Sequence, residues 1–136
     1  MLLKKSMFNF LHYEIKKLSI NAAKKTNKQL QYYTQMSVSS IQYEKELAHF
    51  GIKLEIKGKW EEEIFQDISI EIIGFFDGFS EMGKEKFEKY CQGAGVPNLI
   101  QVARSTISSV TSMMNILPPV NLPLFNLKKS IEEQKG

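Results

Sequence analysis

Cysteine occurs once in this chain, at Cys91, so no disulfide can close within it. The expected setting is therefore the cytoplasm or another reducing compartment, with Cys91 packed beside Tyr90. A catalytic thiol would need a base and a stabilised thiolate, and the sequence identifies neither. Arginine is equally scarce, because Arg104 is the sole arginine and the rest of the 18 basic residues are lysines. Bidentate reading of guanine or phosphate relies on the guanidinium fork, so no sequence-specific nucleic-acid partner is expected. The opening stretch MLLKKSMFNFLHYEIKK has no long apolar core and no small-residue cleavage site, and does not read as a secretory signal. No Ser/His/Asp or Cys/His arrangement can be argued, and GFFDGFSEMG (74–83) lacks the lysine of a phosphate loop and the ligand spacing of a calcium loop.

Metal-ligand patterns are reduced to one. Glu46 and His49 spell E-x-x-H, with Glu14 upstream. A ferritin-like bundle needs two such motifs and further glutamates on apolar helix faces. His49 instead stands next to Phe50 and Gly51, as a surface or capping histidine would. No cofactor and no metal are expected, and an enzyme is the weakest reading because no general acid, base or nucleophile can be named.

The 136 residues, 43% hydrophobic and 24% charged, suit one domain with a core of its own. The net charge of +3 hides a division: residues 1–43 hold seven lysines against Glu14, while residues 61–91 hold nine acids against three lysines. Charge of one sign in each half suits contacts between the halves, within a chain or between copies.

Apolar spacing predicts helices. Met7, Phe8, Leu11, Ile15, Leu18 and Ala22 fall on one arc of a helical wheel, with Lys5, Lys16, Lys17, Lys24 and Lys28 opposite, as a basic face. The stripe resumes through Tyr32, Tyr33, Met36, Tyr43, Leu47 and Phe50, giving one long N-terminal helix or a helix pair ended by Gly51. IKLEIK (52–57) alternates with the period of a strand. From Trp60 to Tyr90 a stripe of Ile64, Phe65, Ile68, Ile72, Phe75, Phe76, Phe79, Met82, Phe87 and Tyr90 predicts a central acidic, aromatic-rich helix. A strand through DISIEII, with Ile68, Ile70 and Ile72 alternating, competes with it; length favours the helix. CQGAGVPN (91–98) reads as a loop, and Leu99, Ala103, Ile107, Val110, Met114 and Leu117 line a last helix stopped by Pro118 and Pro119.

The run from Ser105 to Leu127 carries no charge. Its prolines and many small polar residues argue against a bilayer span. It reads as the end of a helix followed by an extended apolar arm, with Val120, Leu122, Leu124 and Phe125 as anchors either for the chain's own core or for a partner.

These observations together predict a mainly α protein. A helical domain (1–117) combines the N-terminal helix or helix pair, the central acidic helix and the C-terminal helix, and an arm and polar tail follow (118–136). The expected function is a non-enzymatic assembly or adaptor subunit, with copies of itself or a larger protein as partner. An anionic membrane surface, met by the basic amphipathic first helix and the uncharged C-terminal region, is the second candidate. Nonspecific nucleic-acid binding through the lysines with Phe10, Tyr13, Tyr32 and Tyr33 is the third.

Overall fold

The computed structural model describes residues 8–22, 26–45 and 47–114. Five antiparallel strands form one sheet: β1 (Asn9–Asn21), β2 (Gln31–Val38), β3 (Gln42–Glu44), β4 (Leu47–Trp60) and β5 (Glu63–Asp77). The order across the sheet is β1-β5-β4-β2, with β3 also paired to β4. Helices α1 (Phe79–Met82), α2 (Lys84–Tyr90) and α3 (Val96–Met113) follow, the last two joined by a π-helical turn over Cys91–Gly95.

The fold is mainly antiparallel sheet, which overturns the expected helical bundle. Where one long helix or a helix pair was expected up to Gly51, the chain makes β1, β2, β3 and the start of β4, and Gly51 lies inside β4 instead of ending a helix. The expected central acidic helix is β5 followed by the short α1 and α2. IKLEIK lies within β4, and the last helix forms as α3. Leu117, the anchors Val120, Leu122, Leu124 and Phe125, and the division between 117 and 118 fall outside the described residues.

Period-two alternation explains the two central strands. In β4, Ala48, Phe50, Ile52, Leu54 and Ile56 are buried, while His49, Lys53, Glu55 and Lys57 point the other way. In β5, Ile68, Ile70, Ile72 and Phe76 are buried, and Asp67, Ser69, Glu71, Ile73 and Phe75 lie on the open face. The pairs Ile52–Ile72, Leu54–Ile70 and Ile56–Ile68 stand directly opposite each other, so β-branched side chains meet across the ladder. Trp60 pairs with Glu63 across a tight turn in which Glu61 takes a left-handed φ of 55°.

α3 lies on the core side of β4 and β5. Its buried stripe is Val96, Leu99, Ile100, Ala103, Ile107 and Thr111, the spacing of one helix face. The buried Thr111 hydroxyl donates to the Ile107 carbonyl at 2.7 Å, so no polar group is stranded there. The expected loop CQGAGVPN is helical instead, and its Gly95 serves close approach and does not end a helix. A Cβ at Gly95 would come within 2.9 Å of the Phe50 ring, and Gly95 keeps an ordinary helical φ of −64°.

An aromatic cluster closes one end of the core. Phe76 stacks with Phe8, Phe10 and Phe50 at centroid distances of 5.2, 5.0 and 5.0 Å. Tyr43 of β3 contacts Phe79 at 4.5 Å and donates a hydrogen bond to the Glu88 carboxylate at 3.1 Å, tying the β3 edge to α1 and α2. Burial, with help from Glu88, pushes the Tyr43 hydroxyl up to about 12 from an ordinary 10.0, and burial pushes the Cys91 thiol up to about 12 from 9.0. Both folded values are raised, so the neutral forms are favoured by folding. That stability is complete below the unfolded values and is lost as pH climbs through the window from 9 to 12. Urea denaturation across pH 8 to 12 is therefore expected to show stability falling through that window. Tyr43→Phe should fall less steeply than the parent above pH 10; equal slopes would remove Tyr43 as a contributor.

Candidate functional site

The edge strand β1 carries the unusual surface. Its register against β5 shifts twice, between Phe10 and His12 and between Ile15 and Lys17. Each shift inserts a residue, so the side chains that share the core side with β5 are Phe10, Tyr13, Ile15, Leu18 and Ile20, opposite Phe76, Gly74, Ile72, Ile70 and Ile68. Phe10 and Ile20, at the two ends of this row, pack against the core. The three between them do not: Tyr13 is 46% exposed, Ile15 41% and Leu18 36%. Their partners on β5 are fully buried under α3, Ile70 and Ile72 at 0%. The result is an apolar notch on the core side of the sheet, bounded by Phe10 and Ile20 and floored by three side chains that α3 does not cover.

The opposite face of the sheet has a different character. Across its middle, Lys53 pairs with Glu55 and Glu71 at 3.4 and 3.9 Å, the pattern of a solvated face. Near one end His12 stacks on Phe75 at 4.3 Å, and His49 approaches the same ring at 5.4 Å. His49 thus sits on a strand beside an aromatic ring, and its E-x-x-H partner Glu46 lies outside the described residues. Among the described residues no three His, Cys, Asp or Glu side chains gather as a metal site would require. Cys91 is buried, and its raised pKa keeps it a thiol.

The expected basic face loses its helical basis. Lys16 and Lys17 are on β1, Lys28 lies in the connection to β2, and Lys5 and Lys24 fall outside the described residues. Lys16 pairs with Glu14 at 2.6 Å, and that lysine holds the Glu14 carboxyl below its usual range. Lys28 stands over the Trp60 ring at 4.9 Å. Nor do the expected stacking aromatics share a surface: Phe10 and Tyr13 are on one edge strand, Tyr32 and Tyr33 on the other, and Tyr32 and Tyr33 face opposite sides. Tyr32 instead donates a hydrogen bond to the buried Gln66 at 2.7 Å. Among the described residues no helix is long and apolar enough to cross a membrane.

Sequence reasoning placed Ile15 and Leu18 on an apolar stripe and left Tyr13 off it. The stripe was real as hydrophobicity but not as a helix face. The spacing 10, 13, 15, 18, 20 was the available signal, since a strand with two inserted residues alternates steps of three and two.

Likeness in known proteins is confined to the fold. No family model matches the chain, and no curated protein matches it in sequence. Among solved structures it is similar to the SecB-like chaperone Rv1957 of Mycobacterium tuberculosis, determined in complex with a ChAD peptide from the HigA1 antitoxin Rv1956. The TM-score is 0.72 at 13% identity, covering 88% of this chain and 91% of that one. A protein of unknown function from Streptococcus agalactiae is similar at TM-score 0.40 and 11% identity, covering 86% of this chain and 97% of the other, too distant to carry an argument. The chain thus shares the SecB-like arrangement of an antiparallel sheet with helices on one face.

Proposed function

We propose that this chain is a non-enzymatic protein-interaction module that holds extended apolar segments of other polypeptides in the β1 notch. The observation that carries the reading is the interrupted row on β1. Three apolar side chains stay exposed on the face where every neighbouring β5 residue is buried. An extended segment presents alternate side chains to one surface, and Tyr13, Ile15 and Leu18 form a row of the matching length. Support comes also from the fold, since the similar SecB-like chaperone was determined with a peptide bound.

Assembly with copies of itself is the second reading, favoured by the 13-residue β1 having an edge that no strand pairs with among the described residues. The two register shifts and the adjacent Lys16 and Lys17 work against it, because bulges and lysines are the usual means of blunting an edge.

Reduced, carboxymethylated α-lactalbumin, a permanently unfolded chain, serves as the probe. Fluorescence anisotropy should show binding by the full chain. Ile15→Asp and Leu18→Asp should each weaken it about tenfold, the equivalent of one lost apolar anchor. Lys57→Asp, on the opposite face, should leave it unchanged. Equal affinity in all four proteins would sink the proposal.

A further inference from the structure

The two edges of the sheet are built differently. β1 carries two register shifts and the adjacent lysines Lys16 and Lys17, devices that keep an edge from pairing. β2 carries none of them. Its eight residues, QYYTQMSV, include no lysine, no proline and no charge. Its register against β4 runs from Gln31 to Val38 without a shift. The sequence stays uncharged from Gln29 to Tyr43. Among the described residues no strand pairs with the outer edge of β2. An undefended edge of this length is a template for another strand.

Hydrogen bonding fixes which backbone groups that edge offers. The Ser39 N–H donates to the Gly51 carbonyl at 2.9 Å, in the same register that pairs Ser37 with Lys53. Bonded pairs recur at every second residue of an antiparallel ladder. Ser37, Gln35, Tyr33 and Gln31 therefore direct their N–H and C=O groups at β4, and Tyr32, Thr34, Met36 and Val38 direct theirs outward. The side chains of Tyr32, Met36 and Val38 pack against the core and are only partly buried. Tyr33, Gln35 and Ser37 are exposed on the open face.

We infer that this edge pairs antiparallel with β2 of a second copy of the chain, about a two-fold axis through Gln35. Outward-directed residues must face one another across the new ladder, and a centre at Gln35 matches all of them within β2. Tyr32 then stands opposite Val38 of the second copy and Thr34 opposite Met36, each pair exchanging both backbone bonds. Tyrosine against β-branched valine is a favourable cross-strand pair, and it lies on the core side. On the open face Gln35 meets its own image, and an amide that both donates and accepts complements itself. Uncharged strand meets uncharged strand, so the contact strands no charge between them. The blunted β1 edges come to the two outer margins of the joined sheet. Pairing therefore closes at two copies and does not run on into a fibre. The inference stands apart from the reading of the notch, which lies on β1 and stays open in such a dimer.

Light scattering of the full chain over a dilution series should give the mass of two copies, falling towards one on dilution. Thr34→Pro removes an outward N–H that is no part of the β4 ladder, and an edge strand tolerates proline there. Its dimer dissociation constant should rise about tenfold or more. Gln35 is exposed, so a charge at that position spares the fold. Gln35→Lys and Gln35→Glu each set like charges face to face on the axis, and each should weaken the dimer about fivefold. Mixed in equal amounts, the two variants should associate more tightly than either does by itself. Leu18→Asp, on β1, should leave the dimer unchanged. A parent with the mass of one copy throughout overturns the inference. So does a multimer that Thr34→Pro and both Gln35 variants leave intact, or one that Leu18→Asp alone dissociates, which assigns the contact to β1. Weakening by the Gln35 variants without recovery in their mixture overturns the two-fold pairing. Binding of α-lactalbumin is read separately, so the notch and the dimer can fail independently.

Discussion

Phe76→Ala is expected to cost about 3–5 kcal/mol of folding stability, a large part of what a domain of this size has to spare. Phe76 is fully buried and stacks with three other rings, Phe8, Phe10 and Phe50. Those rings come from the chain just before β1, from β1 itself and from β4. Removing the central ring therefore leaves a cavity that three separate segments would have to move together to fill, and such cavities collapse poorly. The control is the next residue along. Phe75 lies on the opposite face, only partly buried, against the rings of His12 and His49. Phe75→Ala should cost about 1–1.5 kcal/mol, the value of an aromatic contact without a closed cavity. Urea denaturation of the two variants compares the two faces of β5 directly. A larger loss for Phe75→Ala than for Phe76→Ala would mean that the strand faces are assigned the wrong way round.

That comparison bears on why the sheet was hard to read from sequence. In β5 both faces carry apolar residues: Ile68, Ile70, Ile72 and Phe76 inside, Ile73 and Phe75 outside. A strand with apolar residues on both faces offers a helical wheel enough matches to fill an arc. Ile64, Phe65, Ile68, Ile72, Phe75 and Phe76 fill it, and the stripe then runs on past the length of a strand. The better guide was residue type. DISIEII is rich in β-branched isoleucine, and Gly74 and Gly78 lie where a helix would be weakest. In β1 the cause is different. Two inserted residues break the alternation into steps of three and two, and Ile15 and Leu18 then fall three apart as in a helix. The middle of β4 and α3 were legible because the pattern is regular there: IKLEIK alternates without a slip, and the α3 stripe keeps its spacing from Leu99 to Thr111.

The notch was legible only in part. Hydrophobicity at Ile15 and Leu18 was visible, but whether those side chains stay exposed depends on how far the helical layer extends. One long helix covers β4 and β5, whereas the sheet is four strands wide. No local pattern in residues 9–21 reports the width of a helix that lies some eighty residues later.

Gly74→Val tests the contact that sets the position of α3 and, through it, the notch. Propensity alone favours the change, because valine is better than glycine in a strand by about 1 kcal/mol. Packing opposes it. A Cβ at residue 74 would lie 2.7 Å from Leu99 Cδ2 and 2.9 Å from Phe76 Cε2, closer than nonbonded carbons approach. Leu99 is fully buried and Phe76 is fixed by its stacked neighbours, so neither can yield cheaply. Overpacking should win, with a net loss of about 3 kcal/mol, at the upper end for an inserted side chain. The mechanism predicts a partner effect. Leu99→Ala alone should cost about 2–5 kcal/mol by leaving a cavity, yet the double variant Gly74→Val/Leu99→Ala should be much less destabilised than the two losses added, because valine refills the space that leucine vacates. Strict additivity in urea denaturation would mean that the two residues do not touch. Gly74 also pairs with Tyr13, so a valine that lifts α3 acts beside the notch. Amide exchange in α3 should quicken in the single variant and slow again in the double, placing the helix's seating on β5 in the gap that a missing side chain leaves.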